Sequence, residues 1–163
     1  MKKIKLLSIV AILLGGLFLL SGCGQKELTG SLEDIMNDLN EYVFEGYGDD
    51  EKPMLMNTNV LEMAPDNVEY YIGKANVEYE EILASEPMMS SIAYSVVLVR
   101  MKDGSDIEAA KEEIREKADP RKWICAEVPK EDVIVKNRGN VIILIMVENA
   151  EFREKLDKGF DKI

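Results

Sequence analysis

Val141-Ile142-Ile143-Leu144-Ile145-Met146-Val147 is an unbroken apolar run, rich in β-branched side chains. It is short for a helix and is bounded by turn-forming residues, so it is expected as a strand. Side chains alternate between the two faces of a strand, so a run without a polar residue predicts cover on both faces there. Asn137-Arg138-Gly139-Asn140 precedes it, with Gly139 free to adopt positive φ, and Val133 to Lys136 lies across that turn. Together they predict a β-hairpin. Asn149 then stands where an N-cap belongs, and Phe152, Leu156 and Phe160 recur every four residues. That spacing predicts an amphipathic helix.

The same order appears further upstream. Val77 to Ala84 alternates through Val77, Tyr79 and Glu81 and stops at Ser85-Glu86-Pro87. Ile92 to Met101 is a second apolar strand, closed by Asp103-Gly104. Ser105-Asp106-Ile107-Glu108 has the form of a capping box, and Ile107, Ala110, Ile114 and Ala118 make one helical face that ends before Pro120. The order over 76–163 is therefore ββαββα, which is either an internal duplication or one common motif used twice. The expected fold is α+β: a four-stranded antiparallel sheet from two ββα units, with helices against one face.

An N-terminal part, 31–73, precedes these units. Leu32, Ile35, Met36, Leu39 and Val43 fall at helical spacing, and Ser31-Leu32-Glu33-Asp34 resembles a capping box, so a helix is expected over Leu32 to Phe44. That helix would lie on the sheet or cover an edge. Gly48-Asp49-Asp50 is turn chemistry. From Met54 the pattern fits either helix or loop, until Pro65-Asp66 opens a short helix through Ile72.

The first 22 residues differ in kind. Lys2, Lys3 and Lys5 are followed by Leu6 to Leu20, which carries no charge. These 15 residues suit the core of an export signal, whereas a membrane span needs ~20. Leu20-Ser21-Gly22-Cys23 then resembles the lipobox of bacterial lipoproteins. That resemblance implies cleavage before Cys23 and diacylglycerol on its thiol. Two acyl chains give stable anchoring where one gives marginal binding. The expected organisation is a signal peptide over 1–22, a lipidated tether over 23–30 and a single domain over 31–163. Gly24 is not the Asp that favours inner-membrane retention, so the expected location is the outer face of the cell membrane.

The mature chain would hold 163 − 22 = 141 residues, enough for one core. Losing three lysines leaves 17 basic against 31 acidic residues, a net charge of −14. Nucleic acid is excluded as a partner for lack of a basic face, and an anionic membrane surface would repel the domain. A basic protein or peptide fits better, although the charge also serves simple solubility. With Cys23 lipidated, Cys125 has no disulfide partner within the mature domain.

The absence of histidine removes Ser-His-Asp and Cys-His nucleophilic sites and histidine-based zinc sites. Neither Ser-x-x-Lys nor Gly-x-x-x-x-Gly-Lys occurs. Asp103-Gly104-Ser105-Asp106 is expected as a turn and N-cap, and Asp49-Asp50-Glu51 as a solvated loop; no metal or cofactor is expected. The nine methionines are scattered, which suits core filling. Cys125 is the one nucleophilic candidate, with Arg121 and Lys122 nearby to lower its pKa, but it is expected to be buried and inert. Trp123 is the single tryptophan. Beside Arg121 and Lys122 it is either a contact edge for a ligand, a membrane-facing anchor, or a core residue under the helix, and the core role is favoured.

At Ser85-Glu86-Pro87-Met88, Ser91-Ile92-Ala93-Tyr94-Ser95 and Arg121-Lys122-Trp123-Ile124-Cys125, the chain resembles a set of small Firmicutes lipoproteins that share a domain of unknown function. The likeness covers residues 30–150 approximately and implies an exported single domain. It carries no catalytic or ligand residue onto this chain. The expected function is a non-enzymatic binding or interaction module held at the envelope, with Glu86, Lys122 and Trp123 bordering one partner-binding surface. The alternatives are a small envelope enzyme using Cys125 or a carboxylate pair such as Glu80 with Glu86, or a structural accessory of an envelope complex.

Overall fold

The computed structural model describes residues 27–47, 57–60, 65–87 and 90–163. The signal segment, Cys23, the Gly48-Asp49-Asp50 turn and Met88 lie outside them. The helices are α1 (Leu32–Val43), α2 (Pro65–Ile72), α3 (Ile107–Lys117) and α4 (Ala150–Lys162). The strands are β1 (Asn57–Val60), β2 (Tyr79–Glu86), β3 (Tyr94–Met101), β4 (Ile134–Arg138) and β5 (Val141–Val147). They form one antiparallel sheet in the order β1-β2-β3-β5-β4. The α+β class and the four strands of the two ββα segments are as expected. The fifth strand, β1, occupies part of the stretch expected as helix or loop: it pairs with the edge of β2, Thr58 opposite Ser85.

The run at Val141–Val147 explains the layering. Val141, Ile143, Ile145 and Val147 point into a core shared with α1 and α4. Ile142, Leu144 and Met146 point into a second core shared with α2 and α3. Strand β3 alternates in the same way, with Val96 and Leu98 on the first side and Val97 and Val99 on the second. The sheet is thus covered on both faces, not on one as the ββα order suggested. A strand with two apolar faces loses its hydrophobic burial on any face left bare, at about 25 cal/mol per Å².

This layering also bears on duplication. Two copies related by rotation would share an axis between β3 and β5. Those strands are antiparallel, so that axis runs perpendicular to the sheet and keeps both helices on one face. Helices α3 and α4 lie on opposite faces, so no such rotation relates the two segments.

Helix ends follow local chemistry. At α1 the Ser31 hydroxyl accepts from the Asp34 amide at 3.1 Å, and the Asp34 carboxylate accepts from the Ser31 amide at 3.2 Å, completing the capping box. The Ser31 hydroxyl also donates to the Asp34 carboxylate at 2.7 Å, and this bond, then the one from the Ser31 amide, holds the Asp34 pKa below its usual value. Leu32, Ile35, Met36, Leu39 and Val43 are then all buried on the sheet. At α3 the cap is Asp106 alone, accepting from the Ala109 amide at 3.0 Å, while Ser105 donates to the Glu78 carbonyl. The expected box fails there because the helix starts one residue later than the Ser105 pattern requires. Asn149 caps α4 through the Phe152 amide.

Two features position the candidate site. Gly73 ends α2 at φ +67°, and a Cβ there would stand 1.9 Å from the Lys117 carbonyl oxygen. Only glycine permits this approach, which joins the C-terminal ends of α2 and α3. The strands also give the sheet two ends. The hairpin end holds Arg100, Arg138 and the Gly139-Asn140 turn; the far rim holds Glu86, Tyr94 and Val147.

Candidate functional site at the far rim

Beyond α3 the chain passes Pro120 and turns Lys122 inward. Its ammonium donates to the Glu86 carboxylate at the end of β2, and to the Ser95 hydroxyl on β3 at 3.2 Å. The rings of Tyr70, Tyr71 and Trp123 lie 4.4, 4.7 and 5.4 Å from the same nitrogen. The Lys122 side chain is 5% exposed and that of Glu86 14%. Burial pushes the Lys122 pKa down, against the opposing pull of the Glu86 charge and its hydrogen bond. Burial, then the Glu86 charge, raises the pKa of Tyr70 and Tyr71. A cation over an aromatic face gains ~0.5–1 kcal/mol when exposed and about 2 kcal/mol when desolvated, so these rings suit a charge removed from water.

Glu86, Lys122 and Trp123 are therefore brought together, but they face inward rather than bordering the open surface expected. Trp123 is 7% exposed and packs in the core between the sheet and α2–α3. Its neighbours supply the surface. Ile124 is 65% exposed, with its amide donating to the Ser90 carbonyl at 2.8 Å. Cys125 is exposed too, at φ +61°, so the expectation of a buried thiol is corrected. An open depression beside it is lined by Arg121, Trp123, Cys125, Ala126, Glu127 and Glu148. The Glu80–Glu86 pair does not form. Glu80 is exposed at an irregularity of β2, six residues from Glu86, which at ~3.3 Å per residue puts about 20 Å between them.

No family model matches this chain, and neither does a curated protein or a solved structure. A serine beside a lysine suggests acyl transfer, which needs an accessible hydroxyl and a neutral amine as base. Ser95 is fully buried, and Glu86 sits on the lysine as a counter-ion. The cluster acts instead as a clamp that fastens β2, β3, α2 and the 121–125 segment to one charge. Ser95, Tyr70 and Tyr71 are the members that sequence reasoning missed. The Tyr-Tyr pair sits in a short amphipathic helix with no local sign that its rings face a lysine. Among the described residues, no three His, Cys, Asp or Glu side chains gather as metal ligands.

Proposed function

We propose that this chain is a lipoprotein, anchored through diacylglycerol on Cys23 at the outer face of the cell membrane, where it serves as a non-enzymatic interaction module. The observation that carries this reading is Leu20-Ser21-Gly22-Cys23, placed directly after an uncharged apolar core and a lysine-rich start. The interaction role draws support from the rim: the polar cluster is enclosed, while Ile124 and Cys125 stand outward on a segment the clamp holds still. The partner is a protein with a basic face, since the mature chain carries a net charge of −14 from 17 basic and 31 acidic residues. Among the described residues, no helix is long and apolar enough to cross a membrane.

Cys23→Ser tests the anchor. Cells fed a traceable fatty acid are expected to label the wild-type protein and to leave the variant unlabelled, with residues 1–22 still attached. Diacylglycerol brings two chains, so the expected loss of label is complete rather than partial. A variant that keeps its label would show that the lipid sits elsewhere or that the motif is not used.

A further inference from the structure

We infer that the domain stands on the bilayer by its hairpin end, so that the Trp123–Cys125 rim is held away from lipid and open to a protein partner. The inference rests on the anchor reading above and adds the direction in which the domain points.

Chain length sets the first constraint. Glu27 is four chain steps from Cys23, and a chain spans at most ~3.3–3.6 Å per step, so the lipidated residue lies within about 14 Å of Glu27. The fold begins at once. Leu28 is buried against the core shared by α1 and α4. The Gly30 carbonyl accepts from the Arg100 guanidinium at 2.6 Å. Glu27 lies on the β4–β5 turn, where a Cβ at Gly139 would come within 2.9 Å of its Cγ. The Gly30 and Glu27 contacts fall at the hairpin end, so the chain leaves the domain toward Cys23 from that end.

Strand length sets the second constraint. Strands β2 and β3 each run eight residues, which at ~3.3 Å per residue places the far rim about 25 Å beyond the hairpin end. Anionic headgroups also repel the rim carboxylates Glu127 and Glu148. With the hairpin end at the bilayer, Ile124 stands about 25 Å from the lipid that holds Cys23. The rim's carboxylates Glu127 and Glu148, beside Trp123 and Cys125, suit the basic protein face proposed above rather than a lipid surface.

The test uses the lipidated protein in vesicles of phosphatidylcholine and phosphatidylglycerol carrying a nitroxide on some headgroups. Cys125 takes a thiol-reactive fluorophore directly. A second sample carries the fluorophore at Lys102→Cys in a Cys125→Ser background, an exposed position at the hairpin end. Quenching by the nitroxide lipid is expected to be at least about threefold stronger at position 102 than at 125, given the ~25 Å between them. Equal quenching, or stronger quenching at 125, would overturn the orientation and indicate a rim inserted in lipid. A protein that fails to float with vesicles and shows no lipid in its intact mass would overturn the anchor reading, and the orientation with it. That failure is recognisable because neither position would be quenched.

Discussion

Replacing Lys122 with alanine is expected to destabilise the domain by about 3–5 kcal/mol, the range for breaking a buried ion pair by removing one partner. The substitution leaves the Glu86 carboxylate, 14% exposed, without its counter-ion, and the buried Ser95 hydroxyl without the hydrogen bond from the ammonium. It also removes the cation from three aromatic rings and opens a void among them. The doubly apolar replacement, Lys122→Met with Glu86→Leu, is expected to recover most of the loss, because no charge is then left buried and unpaired. Urea unfolding of the wild type, Lys122→Met, Glu86→Leu and the double variant measures the coupling. A loss below about 1 kcal/mol for Lys122→Ala, the level of an exposed pair, would mean that water reaches the ammonium and that no clamp exists.

Trp123→Ala is expected to cost a similar ~3–5 kcal/mol, as deletion of a large aromatic side chain from a packed core does. Trp123 is 7% exposed within the core on the α2–α3 side. It is also the single tryptophan, so native fluorescence reports on it alone. Blue-shifted emission, poorly quenched by acrylamide and moving red on unfolding, is the expected signature. Ile124→Ala is the matched comparison: at 65% exposure its loss is expected within ~0.5 kcal/mol. A Trp123→Ala protein of near wild-type stability would place the indole at the surface and return it to the contact role considered from sequence.

Local signals carried most of the fold. Alternation in Ile92–Met101 and Val141–Val147, glycine at the hairpin turn, and capping residues Ser31 and Asn149 act within a few residues, so they are visible along the chain. The layering was only half visible. The unbroken apolar run in β5 announced two covered faces, whereas the ββα order suggested one; which face a helix takes is set by its connection and by the other helices, not by its own periodicity. Strand β1 was not legible, since Asn57-Thr58-Asn59-Val60 has little apolar alternation and is ordered by pairing with β2. Glu86 closes a strand and Lys122 follows a helix and Pro120, so a shared sheet rim was arguable for them, and a core role was the favoured one for Trp123. Tyr70, Tyr71 and Ser95 join them through contacts distant in sequence. Cys125 broke the usual tendency of free cysteine toward burial: it follows the exposed Ile124 on an outward-facing stretch, at φ +61°.

The arrangement explains how an enclosed charge can serve a surface role. A lysine fixed by a carboxylate, a hydroxyl and three rings cannot act as an exposed ligand contact. It can hold the segment that carries Ile124 and Cys125 against β2 and β3, so less conformational freedom is lost when a partner binds.

The anchor at Cys23 is the claim on which the compartment and the orientation both depend. Mass spectrometry of the N-terminal peptide from protein extracted from membranes tests it most directly. The account predicts a mature chain that begins at Cys23 and carries diacylglycerol on its thiol; a chain that still holds Met1 to Gly22 ahead of an unmodified Cys23 would contradict it.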